Sequence, residues 1–295
     1  MKIVSLTMVR DEEDILEYFV RHHCTIVDQM VIMLHCCTDS SKEILTQMQR
    51  EGFPVEIHES KTPRDVFSQG DVMTNLMHQV DADWIIPLDV DEFIGGDGFS
   101  RDTIEKLPTN VVYVAPWRTY VPHASDNLNE CDPRLQITHR RKDELEQGYK
   151  IVFISKQMKA GSSITDGNHK VIETATGHKR RSHRLDNLFL AHFPIRSEQQ
   201  LRRKIINGWE SSQLSPDFKA GSTSFHWEQL YERCKDHTPI NRSELQKYAA
   251  SYALTDSKRV VNLIEDPLSC NHQARFRYDW LFQEVEKYSC NSNSM

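Results

Sequence analysis

Trp84-Ile85-Ile86-Pro87-Leu88-Asp89-Val90-Asp91-Glu92-Phe93 is an apolar run that ends abruptly in three carboxylates. With the turn formers Gly95-Gly96-Asp97-Gly98 behind it, the run predicts a buried strand that carries its acids to the mouth of a cleft. Residues i and i+2 of a strand share a face, so Asp89 and Asp91 are expected to point at one cation. Hard divalent cations such as Mg2+ and Mn2+ favour this oxygen pairing, with substrate phosphates and waters completing the shell. Acidic pairs at strand ends are also common without any such role, so the rest of the chain has to decide between the two readings. Pro87 cannot donate to a sheet ladder and marks a bulge or an irregular strand end.

Upstream, Lys2 to Val9 reads as a first strand, and Asp11-Glu12-Glu13-Asp14 supplies the acid-rich first turn of a helix whose buried face is Ile15, Leu16, Phe19 and Val20. Gln29 to Leu34 is a second strand, Ser41 to Arg50 a helix, Val55 to His58 a short third strand, and Val72, Leu76, Met77 and Val80 mark the helix before the acidic run. This alternation predicts an α/β fold with right-handed crossovers and a largely parallel sheet covered on both faces. Tyr113 to Trp117 and Ile151 to Ser155 are later strands. From Ser197 onward the spacing of apolar residues is mostly helical, which places a boundary near residue 200 and divides the chain into 1–200 and a mainly helical 201–295. The tail 291–295 has the composition of a disordered end.

With 295 residues the chain can bury a substantial core, and 38% hydrophobic against 27% charged residues is an ordinary globular composition. No stretch reaches the length of a bilayer span and no signal-peptide pattern opens the chain, so a cytoplasmic protein is expected. Seven cysteines in an unpatterned distribution fit a reducing compartment. The runs His22-His23-Cys24 and His35-Cys36-Cys37 invite a zinc reading, but adjacent ligands chelate one tetrahedral ion poorly. The net charge of -7 argues against nucleic acid as a partner, yet nine Lys or Arg lie between His169 and Lys204 against three acids. The stretch His178 to Arg184 is read as a solvated loop.

Four segments in fixed order then acquire a joint meaning: Val9-Arg10-Asp11-Glu12-Glu13-Asp14-Ile15-Leu16, Cys37-Thr38-Asp39-Ser40, Trp84 to Phe93, and Leu190-Ala191-His192-Phe193-Pro194-Ile195-Arg196-Ser197. Together, over roughly residues 1 to 235, they resemble the inverting family 2 glycosyltransferases, including the Lys204-Ile205-Ile206-Asn207-Gly208-Trp209 and Phe225-His226-Trp227 stretches of one branch. The resemblance implies a GT-A fold, a Rossmann-like domain binding a nucleotide-sugar above the carboxyl ends of its strands. It implies Arg10, Asp11 and Glu12 at the base and ribose, and Asp39 at the nucleoside, although Cys37 and Ser40 replace the Ser and Gly of that motif. It implies Asp89 and Asp91 as the Asp-x-Asp pair for Mn2+ or Mg2+, with Asp91 the direct ligand and Asp89 on ribose or acting through water. His192 is expected as a third metal ligand or diphosphate contact.

Breaking the bond between an anomeric carbon and a phosphate oxygen builds negative charge on the departing diphosphate, which a cation at Asp91 with Arg196, Lys204 or Lys170 nearby would stabilise. Inversion also needs a base for the acceptor hydroxyl. Asp126, Glu130, Asp132, Asp166, Glu173 and His169 are all candidates, and Asp166 is preferred for its turn between a strand and the basic segment. Trp117 and Tyr120 are candidate sugar platforms. The partners expected are a nucleotide-diphosphate sugar and a glycan or glycolipid acceptor, with peripheral membrane association compatible with the latter. Two other readings stand beside this one: a phosphohydrolase of the haloacid dehalogenase type, and a non-catalytic domain binding a glycan or RNA.

Overall fold

Strand β1 (Ile3–Val9) leads into α1 (Glu13–His23), β2 (Gln29–His35), α2 (Ser41–Arg50), β3 (Val55–Ser60), α3 (Gln69–Gln79) and β4 (Trp84–Pro87), and the four strands pair in parallel in the order β3-β2-β1-β4. The chain thus winds outward from β1 on one side and returns to its other side, making a topological switch point between β1 and β4. This computed structural model describes residues 1–61, 68–96, 100–145, 148–213, 225–256 and 259–269. Asp97, Gly98, the side chain of Trp227 and the tail 291–295 lie outside the described residues.

The middle of the chain adds β5 (Glu92–Gly95), α4 (Arg101–Glu105), β6 (Val112–Thr119), α5 (Pro133–Gln136), β7 (His139–Arg141), β8 (Tyr149–Ser155), α6 (Lys156–Lys159), β9 (Ser162–Ile164), β10 (Val171–Glu173), β11 (Ser182–Arg184) and β12 (Phe189–His192). The main sheet continues β4-β8-β6-β12-β5, with β11 beside β6. β8 runs against both neighbours and β5 against β12, so β1, β2, β4, β6 and β12 all end on the same side. Helices α7 (Glu198–Gln213), α8 (Phe225–Lys235) and α9 (Arg242–Ala250) follow, with β13 (Leu263–Glu265) pairing back onto β7. No helix among the described residues is long and apolar enough to cross a membrane.

The expected mixed, mostly parallel sheet with helices on both faces is present, and β1 shows why. Ile3 and Val9 face a core shared with Ile15 and Phe19 of α1 and Ile44 and Leu45 of α2. Val4 and Leu6 face the other core, built with Val72, Met73 and Leu76 of α3. A strand buried on both faces reads as a continuous apolar run, which is how β1 reads.

The acidic run differs from the single strand expected of it. β4 pairs with β8 only at Trp84 and Ile85 and stops at Pro87, beyond the last rung on that side, where a missing N–H costs nothing. Leu88 N still donates to Leu6 O at 3.0 Å, and the chain then turns, so that β5 sets off antiparallel to β12. Asp89 and Asp91 therefore sit on a turn, not on one face of a strand. The expected boundary at residue 200 falls inside α7, whose Leu201 and Ile205 share a core with Val121 and Ile195 on one side and Leu230, Leu245 and Ala249 on the other. β13 was not foreshadowed by any periodicity.

The histidines near the first helix are structural. His23 is fully buried, with Nδ1–H donating to Phe19 O at 2.9 Å and Nε2 accepting from Ile94 N at 3.3 Å, which joins α1 to β5. Its ring stacks on Phe93 at 5.8 Å. Burial, reinforced by His22, holds its imidazole well below the ordinary histidine value. The sign follows: below about pH 6.5 the unfolded chain takes up a proton that folded His23 refuses, so stability is lost as pH falls. Thermal unfolding is expected to shift downward between about pH 7 and about pH 5. His23→Gln, which keeps a donor and an acceptor, should have a shallower pH dependence; an unchanged slope would count against this account. Phe93→Ala should cost about 3–5 kcal/mol in denaturant unfolding, since it empties a site with no solvent exposure.

Candidate functional site

A cavity of about 490 Å³ opens at the carboxyl ends of β1, β4, β6 and β12. Arg10, Asp11 and Glu12 enter it from the end of β1, and Asp89 and Asp91 from the turn after β4. Trp117, Lys150 and His192 line it from β6, β8 and β12, Lys204 and Asn207 from α7, and Tyr252 from the turn after α9. The cavity occupies the switch point between β1 and β4, where open α/β sheets gather ligands.

The acids at its floor are paired with two lysines. Asp91 is 5% exposed, and its Oδ2 lies 2.8 Å from Lys204 Nζ and 3.6 Å from His192 Nε2. Burial pushes its carboxyl up, but Lys204, His192 and Arg196 outweigh that and hold it well below the usual carboxylate range. Asp91 also raises the Lys204 ammonium in spite of its burial. Asp89 has three donors: Oδ1 accepts from Gln69 Nε2 and Asn168 Nδ2, each at 3.0 Å, and Oδ2 pairs with Lys150 Nζ. Glu92, fully buried, accepts from Trp117 Nε1 at 3.0 Å and from Asp89 N at 3.2 Å, with Lys150 3.2 Å away. Burial raises its carboxyl despite Lys150.

A second group of acids knits together the first turns of α1 and α2. Asp11, in the left-handed region at φ 55°, accepts from Thr38 N at 2.6 Å and from Thr38 Oγ1 at 3.2 Å through Oδ1, and from Asn207 Nδ2 at 2.8 Å through Oδ2. Asp39, expected at a nucleoside, does not line the cavity. It accepts from Glu13 N at 2.9 Å and Ser41 N at 3.0 Å, so it caps two helices at once. Glu13 in turn accepts from Ser40 N at 2.9 Å and pairs with Arg203 at 2.6 Å. Asp11, Cys37 and Asp39 lie close enough to hold an ion, but the acid oxygens already serve these donors.

Four expected site residues, Arg196, Asp166, Lys170 and Tyr120, are placed elsewhere. Arg196, expected at a diphosphate, is 4% exposed and does not line the cavity. Its guanidinium is occupied by Glu12, by Asp14 at 2.7 Å and by Phe193 O at 2.9 Å, tying the start of α1 to the chain beyond β12. Asp166 does not line the cavity either; its Oδ1 accepts from Gly70 N at 2.7 Å in the first turn of α3, whose N-cap is Ser68. Lys170 is exposed and outside the lining. Tyr120 is core, stacked on Phe193 at 4.5 Å with its hydroxyl on Asp266 O at 2.9 Å. Trp117 does border the cavity, stacked on His192 at 5.2 Å.

His169, one of the alternatives to Asp166 as base, lines the cavity. Its Nδ1–H donates to Tyr149 O at 3.2 Å, which leaves Nε2 as the proton acceptor. The residue is exposed toward the cavity, yet desolvation of the ring and then Lys150 hold its imidazole below the ordinary histidine value. Lys150, Gln69 and Tyr252 were not singled out by the sequence. Lys150 alone left a trace, as an isolated cation heading the apolar strand Ile151 to Ser155.

His192 and Asp91 together offer a donor set for a divalent cation. His192 is 5% exposed, its Nδ1 has no hydrogen-bond partner, and its Nε2 stands beyond hydrogen-bonding distance of Asp91. A buried imidazole left this way, beside a carboxylate with an oxygen to spare, fits a metal, while Asp89 at the same cavity already accepts from three donors.

No family model and no curated protein matches the chain. Among solved structures, TarS of S. aureus with UDP-GlcNAc is 10% identical over 85% of this chain and 71% of its own, at a TM-score of 0.43. The mannosyltransferase PcManGT of Pyrobaculum calidifontis with GDP-Man and Mn2+ is 10% identical over 85% and 73%, at 0.41. HddC of Yersinia pseudotuberculosis is 10% identical over 65% and 93%, at 0.39. At this level of similarity none of them bears on what this chain binds or does.

Proposed function

We propose that this protein is a metal-dependent inverting glycosyltransferase that moves a sugar from a nucleotide-diphosphate donor to a hydroxyl of a glycan or glycolipid acceptor. The observation that carries the reading is the meeting of Asp91, His192 and Lys204 in one cavity at the switch point of the sheet. Asp91 and His192 would hold Mn2+ or Mg2+, which when bound supplies positive charge to the diphosphate leaving group. Asp11, Arg10 and Asn207 form the nucleoside end of the same cavity. Lys204 stands where a departing phosphate oxygen gains charge, and Lys150 holds Asp89 and Glu92 so that the floor of the site does not repel the donor. Trp117 is the sugar platform.

His169 is the base. Its Nε2 takes the proton of the acceptor hydroxyl as that oxygen bonds to the anomeric carbon and the bond from this carbon to the phosphate oxygen breaks. Asp166, engaged at the α3 N-terminus, is a positioning residue for the 166–169 turn that carries His169. In the haloacid dehalogenase reading Asp89 would be the nucleophile, whereas here its oxygens accept from Gln69, Asn168 and Lys150.

Binding to the native state raises stability by mass action, so a thermal-shift screen of UDP, GDP and dTDP with and without Mn2+ tests the reading directly. One nucleotide should raise Tm in a Mn2+-dependent way, and Asp91→Asn should abolish that dependence and lower transfer about 100-fold or more while the protein stays folded. Transfer by Asp91→Asn at the wild-type rate would refute the assignment. For His169 the active form is the neutral one, so kcat/KM should fall as pH drops through a value below that of an ordinary histidine. His169→Asn should lose this acidic limb together with most of kcat; a retained limb would move the base elsewhere.

A further inference from the structure

Arg141 and Glu144 form an ion pair, 3.0 Å apart and only 3% and 7% exposed, that does not touch the cavity. Two charges withdrawn from water at this cost call for a structural return. Glu144 accepts from Thr119 N at 2.5 Å and from Thr119 Oγ1 at 3.1 Å, at the end of β6 directly opposite His192 in the β6–β12 register. Arg141 donates from Nε to Ala250 O at 3.0 Å and from Nη2 to Tyr252 O at 2.5 Å. Ala250 closes α9, at the negative end of its dipole, and Tyr252 lies in the turn that follows. That turn is strained: Ala253, which has a Cβ, sits in the left-handed region at φ 57°.

The outcome of this clamp is the position of Tyr252. Its ring lines the cavity 5.2 Å from Lys204 Nζ and 5.6 Å from the ring of His192, over the residues proposed to hold the diphosphate. The Arg141 guanidinium ties this turn to the end of β7, while Tyr252 also packs against the core of α7, α8 and α9.

We infer that Tyr252 is a donor-binding residue whose phenol O–H donates a hydrogen bond to the diphosphate, and that Arg141 and Glu144 are positioning residues that aim it. The inference rests on the proposed donor site and deepens it by assigning the turn after α9 to the diphosphate.

The test uses the full chain and the nucleoside diphosphate selected by the thermal-shift screen, with its monophosphate as control. Tyr252→Phe should weaken binding of the diphosphate with Mn2+ about tenfold or more, as expected for a hydrogen bond to a charged group, and should leave the monophosphate nearly unaffected. Arg141→Met should reproduce that selective loss, Arg141→Lys should recover part of it, and the double variant Tyr252→Phe with Arg141→Met should be no worse than either single one. Equal losses for both nucleotides, or losses that add in the double variant, would overturn the inference while leaving the donor site standing. Should Arg141→Met fail to fold, Tyr252→Phe alone decides through the diphosphate-to-monophosphate ratio. Wild-type protein that binds no nucleoside diphosphate would instead overturn the donor site and this inference with it.

Discussion

The constraint on which this molecule turns is the cost of burying charge at the ends of its strands. Asp91, Glu92 and Lys150 are each at most 5% exposed, in a region where an unpaired ion would be costly enough to open the fold. The chain resolves this by pairing: Lys204 with Asp91, and Lys150 between Asp89 and Glu92. Each pair joins different elements, so the electrostatic requirement is also a folding instruction. It explains why α7 packs where it does and why β8, the one strand running against its neighbours in the middle of the sheet, brings a lysine into its otherwise apolar core.

Much of this was legible in the sequence because it is local. The period of the apolar residues gave β1, α1 and α2 almost to the residue, since strands buried on both faces and helices with one buried stripe leave regular patterns. Asp91, His192 and Lys204 stood out because each lies in a short stretch whose composition is odd for its surroundings. The structure brings those stretches to one cavity.

What was not legible depends on partners far away in the chain. Lys150 is 61 residues from Asp89, and nothing beside it announces the pairing. Asp39, Asp166 and Arg196 illustrate a different limit. Asp39 stands just before α2, where an aspartate has the same sequence appearance whether it serves first-turn N–H groups or a ligand, while Asp166 serves Gly70 N, 96 residues earlier in the chain; only the distances to Glu13 N, Ser41 N and Gly70 N reveal these partners. Arg196 was read as facing a phosphate because it lies among cations, but the acids that claim it, Glu12 and Asp14, are more than 180 residues earlier. The run at Trp84 to Phe93 reads as one strand because hydrophobicity continues through a change of direction after Pro87.

Lys204 and Asn207 sit three residues apart on α7, one engaging Asp91 and the other Asp11. On a helix that rises about 1.5 Å per residue they are about 4.5 Å apart along its axis, a spacing that backbone hydrogen bonds keep fixed. The helix is therefore a calliper laid across the site, one jaw at each aspartate. A ligand reaching from Asp11 to Asp91 is gauged by its length as well as by its groups, and sliding α7 along its axis would misalign both jaws together.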